Sequence, residues 1–273
     1  MNPISTIMQR ETLAAALNHW RQLAAIGKKK RTVDYHREVA DFILKRWTGP
    51  VDDVLAITEP HVTQFATSIS ELSTSRFNAI VSVLKATIPA ACRLRRRRIV
   101  LKDRPLISQL EFRKLCDHLD TRPRSNGGLV VRFLAHTGFR INEARQLLWC
   151  HVYEDFILAP STITKNGHQR MIPFVPGLAD VLKALKAIAE DEKVIPQAEV
   201  KTALETACEL AGVPRLTHHD FRHLYATRCI QSGVDLPTVA RWLGHRDGGA
   251  LLAKTYFHLA DEHSRTMAGR VRI

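Results

Sequence analysis

Apolar residues recur at threes and fours over most of the chain, the spacing that turns one face of an α-helix towards a core. Within residues 1–102 this pattern predicts four helices. A segment from about Arg10 to Ile26 is closed by Gly27, a residue type that ends helices because it accepts a left-handed backbone. Thr32 is placed to cap a second helix, on which Val33, His36, Val39, Ala40, Ile43 and Trp47 share a face. Thr58, with Pro60 in the first turn, starts a third that carries Val62, Phe65 and Ala66. Ser73 or Thr74 caps a fourth that contains Phe77, Ile80, Val81 and Leu84.

Beyond residue 102 the period changes. Ser108 caps a helix through Phe112, Leu115 and Leu119, and another from about Gly127 carries Leu129, Val130, Phe133 and Leu134. Residues Asp155–Thr164 and Gln169–Phe174 read as strands flanking Asn166-Gly167, the dipeptide of a two-residue hairpin turn. Helical segments follow at about 177–190, 197–211, 219–232 and 236–243, with Gly212, Gly233 and Gly244 as stops. The expected fold is mainly α with a small antiparallel sheet (α+β). It comprises a helical domain over 1–102, a basic linker at about 93–104, and a second domain over 103–273.

Charge narrows the partners. The chain holds 40 Lys+Arg against 27 Asp+Glu, a net +13, which favours a polyanion. Residues 1–102 carry 17 of those cations against 8 acids, so the shorter part holds most of the excess. Two runs stand out: Lys28-Lys29-Lys30-Arg31, and Arg93-Leu94-Arg95-Arg96-Arg97-Arg98 just before Asp103-Arg104-Pro105. A run of charge is commonly a solvated face, but the second lies where the helical pattern changes, as expected of a linker along a phosphate backbone. Lys28, Lys29, Lys30, Arg31, Arg95, Arg96, Arg97 and Arg98 are therefore candidate DNA-binding residues. No apolar run approaches the ~20 residues of a membrane span, and no secretory signal is read. The five cysteines are scattered and never form a CxxC pair, as expected of reduced thiols in the cytoplasm.

The candidate chemistry lies in the second part. Thr137-Gly138-Phe139-Arg140-Ile141-Asn142-Glu143 sets an arginine just after a glycine turn, and Lys165 stands beside Asn166-Gly167. His219-Asp220-Phe221-Arg222-His223 sets His219 and Arg222 three apart, towards one helix face. His245 follows Leu243-Gly244, and Tyr256-Phe257-His258 comes eleven residues later. Paired guanidiniums can grip the oxygens of a phosphoryl group in transfer, lysine can protonate a leaving oxygen, and tyrosine needs a base and a cationic setting to act as nucleophile. Singly each has an ordinary reading: a surface arginine, a packed tyrosine, a histidine at a helix end. His219 and His223 also stand at the spacing of a zinc-protease helix, but without a third ligand and with Arg222 between them. No metal site is expected.

In order and spacing, Arg140, Lys165, His219-x-x-Arg222, Leu-Gly-His245 and Tyr256-x-His258 resemble the signature of tyrosine recombinases of the phage integrase family, over roughly residues 104–265. His151 stands where relatives commonly have Asp, and the stretch from His245 to Tyr256 is longer and richer in glycine than usual. The resemblance implies a SAM-like helical core-binding domain ahead of a catalytic domain, closing as a C-shaped clamp on duplex DNA. It implies that Tyr256 attacks phosphorus to form a 3′-phosphotyrosyl link, that Arg140, Arg222 and His245 hold the phosphate, that Lys165 protonates the 5′ oxygen, and that His219 assists at the tyrosine. Glu143 and His223 would support this set. Neither metal, ATP nor another cofactor is implied. The implied partners are double-stranded DNA, a homotetramer on two DNA sites packed through residues from about Asp261, and a DNA-bending accessory protein; no membrane is involved. A type IB topoisomerase-like enzyme would share this chemistry. A non-catalytic DNA-binding regulator, reading 219–245 as a helix-turn-helix, would not need it.

Overall fold

The computed structural model describes residues 10–99, 106–121, 126–196, 201–245, 249, 250 and 268. The chain divides into two compact units, Met1–Lys102 and Asp103–Ile273.

The first unit is helical. It holds helices α1 (Leu13–Ala25), α2 (Lys30–Arg46), α3 (Glu59–Ser68) and α4 (Thr74–Thr87), with short helical turns at Val54–Ala56 before α3 and at Pro89–Ala91 after α4. Thr12 caps α1, its side chain accepting from Ala15 N, and Gly27 follows with φ 69°. Thr58 and His61 cap α3 reciprocally, and Ser73 caps α4. The second helix departs from expectation. Lys29 is its N-cap and Thr32 lies inside the first turn, because the backbone of Thr32 already bonds to Lys29 O at 2.8 Å. Leu13, Leu17, Ile43, Phe65, Ile80 and Leu84 fill one core, with Trp47 tilted against Phe65 at 5.1 Å. Each such side chain contributes roughly 1.5–3 kcal/mol by leaving water.

The second unit is built round two helices that are buried on most sides, α6 (Gly127–Thr137) and α10 (His218–Gln231), packed against each other. Helix α5 (Gln109–Asp120) begins at a Ser108–Glu111 capping box and packs on α6 and α9 (Lys201–Ala211). Helices α7 (Ile141–Ala144), α8 (Leu178–Ala187) and α11 (Leu236–Leu243) complete the described helices. Gly212, Gly233 and Gly244 all have positive φ at the predicted stops.

Strands β1 (Phe156–Ala159) and β2 (Arg170–Pro173) pair antiparallel, from Phe156↔Pro173 to Ala159↔Arg170. The sheet is thus smaller than predicted, and Asn166-Gly167 is not a two-residue hairpin turn. Residues 160–169 form a longer connection. Pro160 has no N–H to extend the ladder, and the chain instead folds through successive turns, Ile163 N to Pro160 O (3.2 Å) and Gly167 N to Thr164 O (3.3 Å). Among the described residues no helix is long and apolar enough to cross a membrane.

Candidate active site

Helix α6 ends at Gly138 in a left-handed conformation (φ 64°), which turns the chain so that Arg140 becomes the N-cap of α7. Glu143, one turn on, is 2% exposed and collects four donors. Arg140 Nη1 donates to its Oε1 at 2.8 Å, and the Lys165 backbone N–H to the same oxygen at 3.1 Å. Arg170 Nη2 donates to Oε2 at 2.7 Å, with Arg140 N at 3.4 Å. Burial opposes ionisation of Glu143, but the Arg170 guanidinium, with Arg140 and the Lys165 N–H, holds its pKa below the ordinary carboxylate value. One buried carboxylate therefore ties Arg140 to the exposed Lys165 through the backbone of the β1–β2 connection.

A second focus is the C-terminal end of α11, where helix carbonyls lack partners and the helix dipole is negative. Trp242 O accepts from Arg170 Nε at 3.0 Å, Leu243 O from Arg222 Nη2 at 2.6 Å, and Gly244 O from Asn166 Nδ2 at 3.0 Å. Arg222, 3% exposed on α10, also donates through Nη1 to Gly138 O at 2.7 Å. The helix closes with Gly244 N bonded to Arg241 O and His245 N to Ala240 O, a Schellman arrangement that fixes where His245 leaves the helix. A cleft of about 730 Å³ opens beside this end, lined by Tyr153, Met171, Asn166, Arg170, Arg241 and His245 among others.

Arg140, Lys165, Arg222 and His245 thus come from four separate segments joined by one hydrogen-bonded network. His219 stands in the first turn of α10, exposed, with its ring edge-on to His223 at 4.8 Å. It differs in this from buried Arg222 on the same helix. His151 accepts from Leu148 N through Nδ1 at 3.2 Å, the capping service a carboxylate would give there. Among the described residues no group of three His, Cys, Asp or Glu side chains is arranged to hold a metal ion. Tyr256, His258 and the C-terminal residues from Asp261 lie outside the described residues.

Sequence reasoning passed over Arg170, although it joins both foci. Its 6% exposure is achieved by the Glu143 pair, the Trp242 carbonyl and the Phe139 ring, 4.9 Å away. The available signal was its place in β2, where Arg170 and Ile172 face inward and Met171 outward. An arginine at an inward strand position needs buried acceptors, which an acid or free carbonyls can supply. In the sequence Asn166 signals only a turn, yet its side chain bonds Gly244 O.

Of the basic residues, Lys29 caps α2, and Lys30 and Arg31 lie in its first turn, which contains no acid. Arg95, Arg96 and Arg98 are exposed, whereas Arg97 is half-buried.

The model of the phage integrase family matches residues 106–263, more than half of the chain, and the protein belongs to that family. Similar curated proteins include the tyrosine recombinase XerA of Saccharolobus solfataricus, 25% identical over 149 residues (54% of this chain, 50% of the relative). Another is the tyrosine recombinase XerC of Anoxybacillus flavithermus, 26% identical over 179 residues (58% of each). The chain matches only 50–58% of the length of these relatives. Its fold is shared with lambda integrase, solved as a dimer bound to a COC′ core site (TM-score 0.77, 18% identity, 90% of this chain and 77% of that one). It is shared also with the integrase of transposon Tn1549, solved with transposon right end DNA (TM-score 0.74, 12% identity, 96% and 99%).

Proposed function

We propose that this protein is a site-specific DNA recombinase that cuts and rejoins strands through a 3′-phosphotyrosyl intermediate on Tyr256. The observation that carries the reading is the network of Glu143 and the α11 carbonyls, which joins the segments bearing Arg140, Lys165, Arg222 and His245. All four side chains are cations or proton donors, the types that neutralise a phosphodiester in transfer and protonate its leaving oxygen.

In this mechanism the Tyr256 oxygen attacks phosphorus as its proton passes to His219. The bond from phosphorus to the 5′ oxygen breaks, and Lys165 delivers a proton to that oxygen. Arg140 and Arg222 neutralise the non-bridging oxygens, with His245 donating to one of them. A 5′-hydroxyl from a second duplex then attacks the phosphotyrosine and releases Tyr256. The number of phosphoester bonds is conserved, so ATP need not be supplied, and the arginines and Lys165 take the charge-neutralising part that a divalent metal could otherwise play. The helical unit over 1–102 serves as a DNA-binding domain, with Lys28, Lys29, Lys30 and Arg31 facing phosphates at the positive end of α2. The working form is a tetramer on two DNA sites in the cytoplasm, assembled through the residues from about Asp261, with an accessory protein bending the DNA.

The test is strand exchange between two differently labelled duplexes drawn from DNA flanking the gene, without ATP and with a metal chelator. Joined products carrying both labels are expected. Relaxation of supercoiled DNA with no exchange would replace the reading by a topoisomerase-like one, and binding without any cleavage by that of a regulator.

A further inference from the structure

The basic run before residue 100 is held along α4 rather than left as a free tether. Asn78 bonds the backbone of Arg97 twice, its Oδ1 accepting from Arg97 N at 2.7 Å and its Nδ2 donating to Arg97 O at 2.8 Å. Two turns further along α4, Lys85 Nζ donates to Leu94 O at 3.2 Å. Seven residues of helix rise about 10.5 Å, and three residues of extended chain reach about 10 Å. The run therefore lies antiparallel to α4 and nearly extended.

Arg97 differs from its neighbours in where its charge goes. Its Nη1 donates to Leu72 O at 2.9 Å and its Nη2 to Ser70 O at 3.0 Å, just past the end of α3. The guanidinium carbon sits 3.7 Å from the centre of the Phe77 ring. One side chain thereby clamps the run to α3 and α4 together. Arg95, Arg96 and Arg98 on either side are exposed, and the Arg93 side chain is 82% exposed.

We infer that Arg97 and Asn78 are positioning residues that hold this run as a preformed rail, and that Arg95, Arg96 and Arg98 on it are ligands for the phosphates of duplex DNA. The inference rests on the DNA-binding reading above and divides the basic run into two roles. A rail ordered before binding loses little chain entropy when phosphates dock, whereas a loose linker would lose it at every encounter. The counterions released depend only on how many arginines meet phosphates.

The two roles separate in a titration of the full chain against a fluorescent duplex of arbitrary sequence over a series of salt concentrations. Replacing Arg95, Arg96 or Arg98 by Ala removes a phosphate contact and reduces the slope of log affinity against log salt by about 0.9 each. Asn78→Ala and Arg97→Lys keep every charge and every phosphate contact, so affinity falls about tenfold at unchanged slope. Arg97→Lys fails to rescue because an ammonium cannot bridge two carbonyls while lying flat on Phe77. Without DNA, Asn78→Ala also speeds tryptic cleavage at Arg95, Arg96 and Arg98, since the run is then released from α4. Circular dichroism confirms that each variant is folded. The inference is overturned if Arg97→Ala lowers the slope as Arg96→Ala does and Arg97→Lys restores affinity, or if Asn78→Ala is cleaved no faster than the wild type. Failure of the wild type to bind any duplex would instead sink the recombinase reading, and the ligand assignment with it.

Discussion

Arg170 Nη2 lies 2.7 Å from Glu143 Oε2, with both side chains only 3% exposed. The pair joins β2 to α7 across the site, and each group has a further partner: Glu143 holds Arg140 and the Lys165 N–H, and Arg170 Nε holds Trp242 O. Removing one partner of such a pair leaves a buried charge without compensation, which costs more than the pair itself contributes. Arg170→Met is therefore expected to destabilise the protein by about 3–5 kcal/mol, read from the midpoint of urea denaturation. Adding Glu143→Leu should restore most of that stability while strand cleavage stays lost, because Arg140 and Lys165 no longer share an anchor.

The same pair predicts a pH dependence. Burial opposes the Glu143 charge, but Arg170 and Arg140 outweigh it and depress its folded pKa. A depressed carboxylate gives stability that is fully present above the unfolded carboxylate range and is lost as pH falls through the folded value. The stability gap between wild type and Glu143→Gln should be largest near neutrality and shrink on acidification below the carboxylate range. A gap that stayed constant with pH would show that Glu143 acts by shape rather than charge.

Gly138 and Gly167 both have positive φ, 64° and 72°, but only the first is crowded. A Cβ at Gly138 would lie 2.6 Å from Leu243 Cδ2 and from Tyr225 Cδ1, whereas nothing stands within 4 Å of one at Gly167. Gly138→Ala is expected to cost about 2–5 kcal/mol from backbone strain and overpacking. Gly167→Ala should cost about 1–2 kcal/mol from strain alone. Thermal melts of the two variants decide this, and equal losses would contradict it.

Much of this architecture could be read from short-range chemistry. Ser108 with Glu111, Thr58 with Pro60, and the glycines at 212, 233 and 244 mark helix ends through bonds spanning a few residues, and these ends stand where the pattern put them. Asn166-Gly167 misled because a hairpin signal assumes that the flanking ladder continues, and Pro160 ends it. Arg170 was missed for a different reason. Its partners Glu143 and Trp242 lie 27 and 72 positions away, beyond the reach of any local pattern. The division within the basic run was hidden likewise, since Arg97 is told from Arg96 only by Asn78, Leu72 and Phe77.

The cysteines offer a check on packing. Cys92 and Cys150 are exposed, while Cys116, Cys208 and Cys229 are buried, and burial pushes the Cys116 thiol up to about 12. Brief alkylation of the native protein at neutral pH should modify Cys92 and Cys150 and spare the other three, as located by peptide mass spectrometry. Labelling of Cys116 at a comparable rate would mean that the face of α5 against α6 is open in solution.

In the proposed mechanism Tyr256 carries the covalent link. Among the other tyrosines, Tyr225 is 2% exposed and burial pushes its hydroxyl pKa well above the ordinary value, so it is not presented to DNA. The most direct measurement uses a duplex nicked beside the cleavage point, so that the short released strand diffuses away and the intermediate accumulates. Wild type and Tyr225→Phe should each give an SDS-resistant, protease-sensitive DNA adduct, and Tyr256→Phe should give none. An adduct that persists in Tyr256→Phe would mean that another residue is the nucleophile.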